Sequence, residues 1–313
     1  MWTFIAKRLL SGLVLVAVIS TLAFLLLYVG SGDIARHILG QSATAQGVAQ
    51  KRAQLGLDRP VLAQYLTWVE HAVRGDLGQS WFTGQQVTQG ILDRLDVTLS
   101  LVVGATILSA IVSVVLGVAA ATRGGWIDRT VQVVTMLGFA IPGYLIALAL
   151  AIELAINLGW FKPTGYVNPG TSIAGWLGTV TLPILALSAG GVAGVTQQVR
   201  GSVVDAMRRD YVRTLRSRGL PEQRVVFEHI LRNAGGPALA VLAVQFVGMF
   251  GAAVIVEQIF AIPGLGQISV AATQQGDIPM VMGLVVVTAI IVVLVNLAID
   301  LFQGWLNPKV RLS

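Results

Sequence analysis

The chain has 313 residues, 55% hydrophobic and 12% charged, with a net charge of +6. A water-soluble domain carries about 25% charged residues, so this composition excludes an ordinary soluble globule. The absence of cysteine excludes disulfides, thiolate catalysis and Cys-based metal sites, and the three scattered histidines, His37, His71 and His229, lack spaced metal-ligand partners.

The first uncharged stretch follows Lys7 and Arg8 and runs from Leu9 to Gly32. It exceeds a signal-peptide h-region of about 7–15 residues and no small-residue cleavage site follows closely, so it is read as a retained first helix. Further uncharged stretches cover 97–122, 130–152, 163–199, 233–256 and 278–299. A helix of about 20 residues crosses the hydrocarbon core. The expected spans are therefore 9–30, 97–122, 130–152, 173–199, 234–256 and 278–299, within one transmembrane domain covering 1–313. The fourth begins near Ile173 because Pro163, Gly165, Pro169 and Gly170 break the start of its stretch. Pro142 and Pro183 fall inside spans three and four, where each can kink its helix.

Between spans one and two, residues 33–96 form a long loop with its own structure. Asp58-Arg59-Pro60 is a helix start, and Leu62, Tyr65, Leu66, Val69 and Val73 recur at helical spacing before Arg74-Gly75-Asp76 ends the run. A short amphipathic helix is expected here, on the membrane surface or against the spans. Contact with a substrate-delivery protein and a structural cap are both open.

With the N-terminus inside, fourteen of the 21 basic residues fall on the internal side, among them Lys7, Arg8, Arg123, Arg129, Lys309, Arg311 and eight arginines between Arg200 and Arg232. The loop 257–277 has no Lys or Arg. The positive-inside rule then places both termini inside and points the basic charge at anionic lipid rather than nucleic acid.

No Asp, Glu, Lys, Arg or His lies inside an assigned span; Glu153 and Glu257 sit at helix ends. A proton- or ion-driven transporter keeps an ionisable relay at membrane depth, so energy is expected from elsewhere. The chain lacks a G-x-x-x-x-G-K-[ST] loop, so ATP must be bound by a partner. An intramembrane enzyme would need a Ser–His or Asp pair within the spans, where there is no His or Asp. Gly190 and Gly194 have GxxxG spacing and Gly248 and Gly251 lie close together, a signal of close helix packing.

Residues 200–233 form the largest internal loop. Val203, Met207, Tyr211 and Leu215 are spaced by four, with Val204 and Val212 beside them, which predicts one helix with an apolar stripe and an arginine-rich remainder. Gly219 and Pro221 then form a stop signal, and a second helix runs through Val225, Val226 and Ile230 into span five. Charge alone would equally serve orientation on lipid; the helix–Gly–Pro–helix plan favours a rigid lever that a partner can grip.

The stretch Asp210-Tyr211-Val212-Arg213-Thr214-Leu215-Arg216-Ser217-Arg218-Gly219-Leu220 resembles the EAA loop of ABC importer permeases, in the form found in the dipeptide/oligopeptide family, and His229-Ile230-Leu231-Arg232-Asn233 continues the likeness. Leu55-Gly56-Leu57-Asp58-Arg59-Pro60, Gly75-Asp76-Leu77-Gly78-Gln79-Ser80, Val256-Glu257-Gln258-Ile259-Phe260, Ile262-Pro263-Gly264-Leu265-Gly266, Asp277-Ile278-Pro279 and Val295-Asn296-Leu297 through Asp300 are similar to other stretches of that family's B-type subunit. Leu215 departs from a usual alanine, and Gly30-Ser31-Gly32-Asp33-Ile34 lacks the family's prolines.

The resemblance implies an all-α type I ABC importer permease bundle with six transmembrane helices. Its partners would be a second homologous permease, two ABC ATPase domains that carry ATP and Mg, and an extracytoplasmic substrate-binding protein. It assigns ATPase coupling to Asp210, Tyr211, Arg213, Thr214, Leu215, Arg216, Arg218, Gly219 and Leu220. A turn through Glu257, Phe260, Pro263, Gly264 and Gly266 is expected at the external mouth of the path. The chain itself is expected to be non-catalytic and to move peptides, with nickel chelates, glutathione or another small solute as the alternative cargo.

Overall fold

The computed structural model describes residues 2–30, 34–40 and 42–306. Gly32 and Asp33, and the basic residues Lys309 and Arg311, lie outside the described residues. Among those described, the elements are helical: α1 (Trp2–Gly30), α2 (Ile34–Leu39), α3 (Ala45–Gln54), α4 (Val61–Val73), α5 (Val87–Arg123), α6 (Gly125–Ala140), α7 (Gly143–Leu150), α8 (Ile173–Met207), α9 (Asp210–Ser217), α10 (Glu222–Arg224), α11 (Leu231–Ile259), α12 (Leu265–Gln275) and α13 (Ile278–Leu306). Short π-helices, Ala151–Asn157 and Val225–Ile230, extend α7 and join α10 to α11.

Five helices are individually long and apolar enough to cross a membrane: Ile5–Tyr28, Val87–Arg123, Ile173–Met207, Glu222–Ile259 and Ile278–Gly304. The third expected span is not one rod. Gly125–Ala140 and Gly143–Asn157 together meet the same test but are bent by 95°. Proline explains the break. Pro142 has no N–H and disfavours helical backbone before it, so Ile141 adopts φ −89°, ψ 118° and the next helix starts afresh. Pro183 and Pro237, by contrast, lie inside α8 and α11 without ending them.

The chain forms two compact units, the first mainly residues 97–262 and the second residues 6–96 with 263–293. In the first, α8 is central and packs against α6, α7 and α11. Its seam with α5 is lined by small groups. Ser109 and Ser113 donate across it to the carbonyls of Ser188 (3.2 Å) and Val192 (3.1 Å). A Cβ on Gly117 would lie 2.8 Å from the Val199 side chain and 3.0 Å from the Thr196 carbonyl oxygen. Gly194 likewise abuts Gln245, but Gly190, its partner in the GxxxG spacing, has open space around it. Gly117→Leu should therefore lower the stability of the purified chain by about 1–3 kcal/mol through overpacking. A thermal melt in detergent checks this, with Gly190→Leu as the variant expected to leave it unchanged.

Among the described residues, the second unit holds two apolar cores. Phe24, Ile34, Ile278 and Met282 form one, and Leu77, Val87, Ile91, Leu265, Met280 and Leu284 the other. Tyr65 of α4 is tied to α1 by hydroxyl contacts to Ser20 (2.9 Å) and Thr21 (2.8 Å). The segment before α5 is a tight hairpin in which Gln79 and Gln86 form an antiparallel bridge and Val87 N donates to Gly78 O at 2.9 Å. Buried Asp277, just before α13, holds it. Ser80 Oγ donates to one carboxylate oxygen and Trp81 N to the other at 3.2 Å. Ser80 Oγ in turn accepts from Phe82 N and Thr83 N.

Candidate functional site

The arginine-rich segment after α8 is a helical hairpin, with one difference from the expected single first arm. The helix stops at Met207, and α9 begins at Asp210 after Arg209 adopts extended backbone (φ −77°, ψ 147°). Arginines favour helix, so only Asp210 signalled this start, through its favourable charge in a first helical turn. The apolar stripe survives the break. Val203, Val212, Val225, Val226 and Ile230 are buried together, and Met207, Tyr211, Leu215 and Leu220 pack against them. Leu215, which replaces a usual alanine, thus fills space in this cluster.

Gly219 closes α9 as the stop signal predicts. Its φ is +78°. Gly219 N donates to Arg216 O (2.9 Å) and Leu220 N to Leu215 O (3.4 Å), the two bonds of a Schellman motif. With Leu215 and Leu220 on the same core cluster, the motif also has its apolar clasp. Pro221 then starts the second arm, whose first turn accepts an ion pair across the hairpin: Arg216 Nε donates to Glu222 Oε2 at 3.0 Å. Asn233 Nδ2 approaches the Tyr211 hydroxyl at 3.4 Å and donates to its own helix at His229 O.

The cationic groups separate into two sets. Arg200 is used internally, since its guanidinium grips Asp128 of α6, with Nη2 at 2.6 Å from Oδ2. Arg213 lies 3.6 Å from Asp210 on the open face of α9, and Arg224 pairs with Glu228 at 2.9 Å. Arg208, Arg209 and Arg218 are exposed and have no ion pair among the described residues. Asp210, Thr214 and Ser217 are exposed beside them. The hairpin is therefore an apolar wedge fixed to its unit, with a polar, cationic tip.

The Arg216 hydrogen bond holds the Glu222 carboxyl below the usual carboxylate range, against a smaller opposing effect of burial. A depressed carboxylate contributes stability above its unfolded pKa and loses it as pH falls through the folded value. Both groups are substantially exposed, so the pair is worth about 0–1 kcal/mol. Hydrogen exchange at Gly219 and Leu220, corrected for intrinsic rates, should be unchanged from pH 8 to pH 5.5 and rise modestly below about pH 4. Glu222→Gln should remove that pH dependence.

Residues Glu257 to Gly266 connect the end of α11 to the start of α12. Glu257 and Phe260 do not present an open surface: they are 0% and 1% exposed. Thr98 Oγ1 donates to Glu257 Oε1 at 2.6 Å, which ties the end of α11 to α5. The expected turn is present, with Ala261 at φ 47° and Ile262 N donating to Glu257 O at 2.8 Å. Pro263, Gly264 and Gly266 belong to the second unit, where Pro263 is exposed and the two glycines open α12 in buried positions. The spacing of Glu257 at a helix end gave no sign that its carboxylate is enclosed, because its partner Thr98 lies far off in sequence.

Residues 113–312 match the family described as binding-protein-dependent transport system inner membrane component, and residues 1–102 match the corresponding N-terminal family. The chain is 36% identical over 312 residues to the "Probable peptide ABC transporter permease protein y4tP" of Sinorhizobium fredii, covering 99% of this chain and 100% of that one. It is 34% identical over 316 residues to the "Oligopeptide transport system permease protein AppB" of Bacillus subtilis, covering 99% and 100%. It is 32% identical over 312 residues to the "Glutathione transport system permease protein GsiC" of Salmonella choleraesuis, covering 99% of each. Among solved structures, it shares the fold of a chain of the MetNI methionine ABC transporter in inward-facing form, with a TM-score of 0.53 at 18% identity over 71% of this chain and 96% of that one.

Proposed function

The chain belongs to the family of binding-protein-dependent transport system inner membrane components, and from that premise we propose that it is the permease subunit through which an ABC importer carries peptides across the cytoplasmic membrane. The observation that carries the coupling role is the hairpin: an apolar base buried in its own unit, a glycine-closed turn, and exposed arginines at the tip. A rigid projection of this kind transmits motion, because a partner that grips the tip moves α8 and α11 with it. The partners are two ABC ATPase domains, which carry ATP and Mg, a second homologous permease, and an extracytoplasmic substrate-binding protein. Asp210, Tyr211, Arg213, Thr214, Leu215, Arg216, Arg218, Gly219 and Leu220 supply the docking surface or its support. Both termini lie on the cytoplasmic side, as the basic residues favour, and Glu257 to Gly266 then lie toward the outer face.

In this reading the chain performs no covalent chemistry. ATP binding closes the ATPase pair, the hairpin follows, and the spans exchange inward- for outward-facing states. Peptide as cargo is supported by the names of the relatives at 36% and 34% identity, and glutathione, itself a small peptide, by the relative at 32%. The test is mass spectrometry of what copurifies with the tagged, mildly solubilised chain, followed by uptake of labelled di- and oligopeptides. An ABC ATPase and a second six-span permease in stoichiometric amounts are expected. A folded chain recovered alone, even after crosslinking, overturns the coupling role.

A further inference from the structure

Three sequence stretches that the coupling role leaves unused meet at one place in the second unit. Leu55, Gly56 and Arg59 precede α4, Trp81 sits on the hairpin after Gly78, and Ile278 and Pro279 open α13; together they border a cleft of about 190 Å³. Its remaining walls come from Phe24 of α1 and from Gln64, Thr67 and Trp68 of α4. The hydrogen bonds from Ser80 and Trp81 N to Asp277 fix two of these stretches to each other. The cleft is thus built by residues separated by more than two hundred positions.

Its chemistry is mixed. Phe24, Trp68 and Trp81 give it aromatic walls, and Arg59 is exposed at its edge with no ion pair among the described residues. The indole N–H of Trp68 is buried and has no hydrogen-bond acceptor.

The setting identifies the occupant. Phe24 lies six residues before Gly30, the last residue of α1, so it is about 9 Å from that end of the helix. Nearby, α4 is apolar on two faces. Tyr65, Trp68 and Ala72 pack inward on the cores, whereas Leu62, Leu66 and Val73 are 67%, 57% and 83% exposed. Leu22, Leu25 and Leu26 of α1 are bare as well. A helix with such an outer stripe lies within a membrane interface. A soluble anion would answer Arg59 but leave these leucines uncovered.

We propose that this cleft is a binding site for an anionic phospholipid, with the phosphate on Arg59, the aromatic walls against the glycerol region, and acyl chain along the leucine faces of α1 and α4. The site rests on the membrane reading of the chain and is independent of its cargo. Native mass spectrometry of the assembled, detergent-extracted complex, exposed to equal phosphatidylglycerol and phosphatidylcholine, tests it. The wild type should retain phosphatidylglycerol preferentially. Arg59→Gln should weaken that retention about fivefold, the scale of one interfacial basic group. Lys51→Gln, the same charge change in the same unit, should leave it intact. Equal retention of the two lipids by the wild type, or unchanged phosphatidylglycerol retention in Arg59→Gln, overturns the proposal. So does a result in which Arg59→Gln changes capture of a substrate-binding protein but not lipid.

Discussion

Gly219→Val is expected to reduce peptide uptake and the uptake-linked stimulation of ATPase activity about tenfold while the chain still folds and inserts. The reason is local. Gly219 holds φ +78°, and nothing lies within 4 Å of where a Cβ would stand, so the substitution meets no clash. Its cost is the left-handed backbone, about 1–2 kcal/mol for an ordinary L-residue and more for a β-branched one. That is enough to depopulate the Schellman turn by roughly an order of magnitude. The bonds from Gly219 N to Arg216 O and Leu220 N to Leu215 O go with it, and the Arg216–Glu222 pair loses its geometry. The buried base at Val212, Val225 and Ile230 is untouched, so stability should fall little. Gly219→Asn is the informative companion, because asparagine visits this region readily and should recover most activity. Wild-type coupling in Gly219→Val would refute the lever.

The larger effect on stability is expected from Asp277→Ala. Asp277 is 2% exposed and accepts from Ser80 Oγ and Trp81 N, and Met280 N lies 3.5 Å from the same carboxylate. Alanine leaves the buried Ser80 hydroxyl and the part-buried Trp81 N–H without that acceptor, a buried unsatisfied donor costing about 1–3 kcal/mol. A loss of about 3 kcal/mol in the apparent unfolding free energy is expected from that principle, with faster proteolysis in the hairpin between Gly78 and Val87. Ser80→Ala should reproduce part of it, since Phe82 N and Thr83 N also depend on that hydroxyl. Asp277→Asn keeps an acceptor and should fall between. A melt within about 0.5 kcal/mol of wild type, the range of an ordinary surface substitution, would show that the hairpin is held by its apolar contacts instead.

Much was legible in the residues. The amphipathic run after Pro60, the apolar stripe from Val203 to Leu215 and the Gly219–Pro221 stop are all local patterns, and the structure shows α4, the buried stripe and a left-handed Gly219 at those places. Each is settled within a turn or two of helix, where spacing and backbone preference act directly.

The rest depended on partners distant in sequence. Pro142 and Pro183 are the same residue in similar apolar surroundings, yet α6 ends before one and α8 continues through the other. The Arg208–Arg209 break is written in residues that favour helix. Gly190 and Gly194 share one motif, but only Gly194 meets a neighbour, while Gly117, in no GxxxG pair, lies against Thr196 and Val199. Glu257 read as a helix-end carboxylate and is enclosed with Thr98. The sequence by itself determined that the chain is helical, spans a membrane and carries a glycine-closed cationic hairpin, because hydropathy, charge placement and left-handed glycine are local quantities. Tertiary structure decided which small residues become contact points, which carboxylates are buried and which separate stretches share a cleft, because those follow from packing between segments that no spacing along the chain records.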